Sequence, residues 1–169
     1  MRTVFKLSRP LFTQALCDLR RPHPFASERV GFFSCRVGGL KPFGWVILAE
    51  DFQPVSDENY VEDRTVGAMM NADAIRKAMQ VAMNNRCCMF HVHVHEHRGT
   101  PRFSAIDRSE TAKFIPDFWH VCPQLIHGAI IFSKDSMAGL CWHPRSRVPL
   151  RISEFSVVGS PMWNLRETK

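Results

Sequence analysis

The stretch HVHVHEHRGTPRFSAID places His91, His93, His95 and His97 at every second position, then Ser104 and Asp107 beyond a Gly/Pro turn. Alternate residues of a β-strand face the same side, so a strand here lines up its imidazoles. As imidazolium ions they would repel one another, whereas neutral imidazoles are the ligands zinc prefers. The line reads as a metal site, a phosphate site or a structural coincidence. Each nearby acid or hydroxyl also has an ordinary structural role. Ser104 suits a helix N-cap, Asp107 a first-turn acid, and Glu28, in ERVGFFSC, a surface carboxylate.

The frame that must position these residues is small. With 169 residues, 45% hydrophobic and 22% charged, the chain is read as one domain over residues 1–169 with a real core. A TIM barrel, at roughly 250 residues, is excluded. The six cysteines, at 17, 35, 87, 88, 122 and 141, form no C-x-x-C pair. Most lie in apolar surroundings such as NNRCCMF, which suits reduced, buried thiols rather than a zinc ribbon. The N-terminus mixes Arg2, Lys6 and Arg9 into its apolar residues, so no signal-peptide core is formed. No run approaches the ~18 apolar residues of a membrane span. A soluble, cytoplasmic protein with no membrane partner is expected. The net charge of +6 is uneven, and no basic run is interleaved with aromatics, so a nucleic-acid partner is not expected.

The periodicity predicts a helix in PLFTQALCDLRR, with Leu11, Phe12, Ala15, Leu16 and Leu19 on one face. RVGFFSCRV and GWVILAE read as neighbouring strands joined by the turn GGLKPFG, and a polar loop runs from about Asp51 to Asn71. NADAIRKAMQVAMNN reads as a helix behind an Asn71 N-cap, and RCCMFHVHVH as the histidine strand. A helix is expected from about Arg108, broken near Pro116, and then strands in LIHGAIIFS, MAGLCWH and LRISEFSVV. The fold class is therefore α/β (α+β), a mixed central sheet flanked by helices.

Several hydrolase patterns can be tested against the histidines. HEHRG lacks the second histidine of H-E-x-x-H, and the chain has no P-C-x-x-C to accompany a deaminase H-x-E. HVHVHEH resembles the signature of the histidine-triad nucleotide hydrolases and transferases, in which the middle histidine attacks an α-phosphate. Here Glu96 and His97 occupy its two last apolar positions, and a carboxylate beside phosphate opposes anion binding. Taken together, Glu28 in ERVGFFSC, the histidine strand and Ser104 with Asp107 in SAID resemble the JAMM, or JAB/MPN-type, zinc metalloprotease family. That family's pattern is Glu-x-x-Gly, His-x-His, then Ser-x-x-Asp. The resemblance covers roughly residues 10 to 140.

The resemblance implies a JAB/MPN domain of cytidine-deaminase-like architecture with one zinc per chain, held by His93, His95 and Asp107. Glu28, on a separate strand, would be the general acid/base, and Ser104 would stabilise the oxyanion. The family usually has Pro directly after the second histidine, where this chain has Glu96. Choosing His93 and His95 makes the loop to Ser104 one residue longer than usual. It leaves His91 and His97 as supporting residues or alternative ligands. Active members of the family hydrolyse bonds after the C-terminal tail of ubiquitin or a ubiquitin-like protein. A single domain with no appended module looks more like its bacterial forms. Some domains of this fold have lost the metal and serve as scaffolds, so a non-catalytic binding role is the other outcome.

Overall fold

A computed structural model describes residues 2–24, 26–39, 44–63, 65–146, 148–161 and 163–166, the last four as backbone. The strands are β1 (Arg2–Ser8), β2 (Val30–Gly39), β3 (Gly44–Pro54), β4 (Cys88–Val94), β5 (His127–Phe132), β6 (Met137–Trp142), β7 (Leu150–Arg151), β8 (Glu154–Val158) and β9 (Trp163–Arg166). The helices are α1 (Arg9–Leu19), α2 (Ala72–Asn85) and α3 (Ala105–Val121). All nine strands form one sheet in the order β7-β6-β5-β4-β2-β3-β1-β8-β9. The pairs β1/β3, β1/β8 and β4/β5 are parallel and the others antiparallel, so the sheet is mixed as expected.

Its two faces are covered by different helices. Phe90, Val92 and Val94 of β4 join Phe33 of β2 and the buried stripe Leu11, Ala15 and Leu19 of α1. On the opposite face, Val30, Phe32 and Met89 pack with Ala74, Ala78 and Ala82 of α2 and with Phe114, Ile115 and Phe118 of α3. All seven residues of β4 are buried, which is what a central strand covered on both sides requires. The period-two rule then sends His91 and His93 to the α3 face.

Several elements differ from the sequence reading, which has no counterpart of β1 or β9. β1 lies between β3 and β8, where Thr3, Val4 and Phe5 are consecutively buried and give no alternating signal. β3 runs on to Pro54, so the polar loop starts later. It carries a short 3-10 helix (Asp57–Asn59) and a bridge between Tyr60 and Met70. LRISEFSVV divides into β7 and β8 around Ile152 and Ser153. Most consequential for the site, α3 begins at Ala105 rather than Arg108 and continues through Pro116. Proline removes one i to i−4 hydrogen bond, but Pro116 and Ala112 are both exposed, so water can serve the freed carbonyl. Burial of Phe114, Ile115 and Phe118 holds the helix on both sides of the break. Part of the GGLKPFG turn, residues 40–43, lies outside the described residues. Among the described residues no helix is long and apolar enough to cross a membrane.

Candidate metal centre

The antiparallel register of β2 and β4 creates the site. Val30 pairs with His93, and both side chains point to the α3 face. Continuing that register two residues beyond β2 sets Glu28 across from His95. Glu28 is therefore not on a strand, as the sequence reading had it, but in the turn leading into β2. The donor atoms of Glu28, His93 and His95 lie within 4.8 Å of one another. From α3, Asp107 places Oδ1 3.6 Å from His93 Nε2 and Oδ2 3.9 Å from His95 Nε2.

Asp107 reaches the histidines because it also caps the helix. The Ser104 hydroxyl accepts from the Asp107 N–H at 3.0 Å, and the Ser104 N–H donates to Asp107 Oδ2 at 2.7 Å. This reciprocal box fixes the carboxylate and leaves Oδ1 facing His93. The structural role of Ser104 and Asp107 and their approach to the site are thus one arrangement. Ser104 itself is exposed.

Other contacts hold the two chain segments that meet here. Arg29 is buried, donating to the Arg21 and Pro22 carbonyls and forming a 2.6 Å ion pair with Asp57. The Tyr60 hydroxyl donates to the Val30 carbonyl and accepts from the Val30 N–H. A loop then crosses directly over Glu28. The Gly67 carbonyl accepts from the Ser27 and Glu28 N–H groups, and a Cβ at Gly67 would lie 2.7 Å from the Glu28 carboxyl. A side chain at this position would push the Glu28 carboxyl out of its place. On the β4 side, the His95 N–H donates to the Phe132 carbonyl, and the Ser133 hydroxyl donates to the Gly99 carbonyl, tying the loop after β4 to the end of β5.

The electrostatics separate the two carboxylates. Burial, with Asp107 as a second negative charge, pushes the Glu28 carboxyl up to about 7. Burial acts upward on Asp107 too, but His93, the Ser104 hydrogen bonds and His95 together outweigh it and lower its pKa. Burial holds His93 down to about 4 and also lowers His95, so both imidazoles are neutral at pH 7. The arrangement supplies two neutral nitrogen donors, one committed carboxylate and one carboxylate that takes up and releases a proton near neutrality.

The spacing of the two histidine donors fits a tetrahedral zinc. Zn–N bonds of ~2.0–2.1 Å imply neighbouring ligand atoms ~3.3 Å apart, and the two Nε2 atoms are 3.2 Å apart. The histidine row does not contribute uniformly. His91 is buried against the rings of Phe32 and Phe114, and among the described residues neither of its ring nitrogens has a hydrogen-bond partner. His97 is exposed, with Nδ1 2.8 Å from the Arg98 carbonyl oxygen. The middle pair therefore converges with the carboxylates. Gly67 and the cavity beyond Glu28 were missed by sequence reasoning, and only the isolated glycine in TVGAMM hinted at a close backbone approach.

No protein-family model and no curated protein matches this chain. Among solved structures, the Trichoplax adhaerens STIL N-terminal domain is similar over 79% of this chain, at 8% identity and a TM-score of 0.37. The match spans 39% of that structure's length. A likeness this slight carries no argument about fold family or function.

Proposed function

We propose that this chain is a zinc-dependent peptidase or isopeptidase of the JAMM type, with a JAB/MPN fold. Its substrate would be a bond after the C-terminal tail of a ubiquitin or ubiquitin-like protein, in a conjugate or a precursor. The convergence of Glu28, His93, His95 and Asp107 carries the proposal. A carboxylate stands just before β2, two histidines stand at and just beyond the end of β4, and an acid stands in the first turn of α3. Those are the three parts of the family pattern, in its chain order.

His93 and His95 would hold the metal through Nε2, with Asp107 as the anionic ligand. Bound zinc supplies Lewis acidity and lowers the pKa of a water it holds toward ~7. Glu28 would take up a proton from the attacking water and deliver it to the leaving amine, a task suited to a carboxyl near neutrality. Ser104 accepts the Asp107 N–H in the cap, and its hydroxyl also lies against the Asp107 carboxylate, from which the O–H would turn to donate to the developing oxyanion. Neutral histidines and two carboxylates are a poor phosphate site, which disfavours the nucleotide-hydrolase reading. The complete donor set favours an enzyme over a scaffold.

The test is cleavage of a ubiquitin-like protein fused through its tail to a reporter, run beside nucleoside phosphoramidates. The proposal expects the fusion to be cut, the activity to disappear in chelator and return with zinc, and the nucleotides to be left intact. Turnover of the nucleotides in excess chelator would assign the histidines to nucleotide chemistry instead.

A further inference from the structure

The carboxylate side of the candidate metal centre opens into a cavity of about 210 Å³. Glu28, His93 and Asp107 form one wall, and Val30, Met70, Ile75 and Phe114 form much of the rest. Its mouth is bordered by Met69 and Ile106, which are 39% and 51% exposed, large apolar residues left in water where the cavity opens. Surface of this kind beside a reactive centre marks a place where substrate is bound.

The geometry points to a specificity pocket for one leucine- or phenylalanine-sized side chain of the peptide substrate, on a residue directly flanking the amide that is cleaved. This inference rests on the peptidase reading above. Three observations select the occupant. The cavity shares Glu28, His93 and Asp107 with the candidate centre, so whatever fills it lies within one residue of the reacting bond. Its size suits a single large side chain, since an apolar cavity of ~150 Å³ accommodates benzene. Beyond the three acids Glu28, Asp107 and Glu110 the lining is mostly aliphatic and aromatic, so an anionic side chain is repelled and a large apolar one buries its surface. A glycine-only tail would leave the pocket empty, so the site reads a side chain and not merely a thin extended strand.

Binding and cleavage can be tested separately on the whole chain. The N-acetyl amides of Phe, Leu, Ala and Gly are titrated by NMR against zinc-loaded and chelator-treated protein. The Phe and Leu amides should bind at least roughly tenfold more tightly than the Ala amide, the scale on which an apolar pocket separates side chains. Ala68→Phe and Ile75→Trp, which fill the cavity from two sides, should abolish that preference while the melting temperature and zinc content stay at the unmodified level. Equal affinity for all four amides, or an undiminished Phe preference in both filled variants that remain folded, would overturn the pocket.

In the cleavage arm, tail-fusion substrates carry Phe, Leu, Ala or Gly at each residue flanking the bond. A preference of the same order at one of those residues, shifted toward Ala in the filled variants, supports the inference. Cleavage with no such preference contradicts it and leaves the peptidase reading standing. Discriminating amide binding without any cleavage supports the pocket and contradicts the proposed reaction.

Discussion

Two carboxylates stand against one pair of histidines, and their surroundings assign them different work. Asp107 is anchored by the Ser104 N–H and lowered by the imidazoles, whereas Glu28 is desolvated under the Gly67 backbone and raised to about 7. Glu28→Gln keeps the side chain's size and removes its proton chemistry. It should retain zinc and fold while losing 10²- to 10⁴-fold in turnover, the usual cost of a missing general acid/base. Near-normal turnover with full zinc would move the proton carrier elsewhere, with Glu96 next in line. Ser104→Ala separates capping from catalysis. Loss of the hydroxyl should lower stability by ~1 kcal/mol in a denaturant titration, the typical cost of a lost N-cap. The Ser104 N–H still holds Asp107, so zinc content should be unchanged. If the hydroxyl also serves the oxyanion, kcat falls by ~10²–10³, well beyond what the stability loss explains.

At the scale of elements, the central strands are held by a further histidine outside the candidate site. His127, at the start of β5, is fully buried, stacks on Phe118 and accepts the Met89 N–H at Nδ1. Burial lowers its pKa to about 4, only partly offset by the Cys122 carbonyl. An unfolded chain protonates this histidine near its ordinary 6.5, so above that pH it has no effect on stability. Between about 6.5 and 4 the unfolded state binds the extra proton, and stability is lost as the pH falls, by about 3 kcal/mol in all. His127→Asn keeps an acceptor for Met89 and does not titrate. Chemical denaturation across that window should therefore show a shallower fall than in the unmodified chain, and parallel curves would show that His127 is not the source.

These elements also show what could be read from the chain. Helical spacing identifies α1, and the Asn71 cap identifies α2, because both helices present one apolar stripe to the sheet. The start of α3 is legible when Ser104 is taken as the N-cap it suits, whereas a helix begun at about Arg108 leaves the first turn in the loop. β1 was hidden by its consecutive buried residues.

For the whole molecule, the candidate site depends on a sheet that joins both ends of the described chain. β1 is inserted between β3 and β8, and β4, beside β2, stands near the middle of the order. The sequence contains the site's residues and their order, but not the pairing that brings Glu28, more than sixty positions away, against His93 and His95. That pairing depends on register, and a shift of one residue would turn Val30 and the Glu28 side away from the histidines. The cavity and the overlying Gly67 loop arise from the same tertiary packing and have no local sequence signature. The sequence could select the middle histidine pair through spacing to Ser104, while the structure adds a physical reason. His91 is enclosed by aromatic rings, and His97 is exposed with Nδ1 against the Arg98 carbonyl.

The most direct measurement is zinc stoichiometry, by elemental analysis after gel filtration of the folded chain, in the unmodified protein and in the His93→Ala, Asp107→Ala and His97→Ala variants. One zinc per chain is expected in the unmodified protein and in His97→Ala, and strong loss in His93→Ala and Asp107→Ala with circular dichroism unchanged. Full zinc retention in both the His93 and Asp107 variants, or no zinc in the unmodified chain after reconstitution with excess metal, would contradict the metal centre.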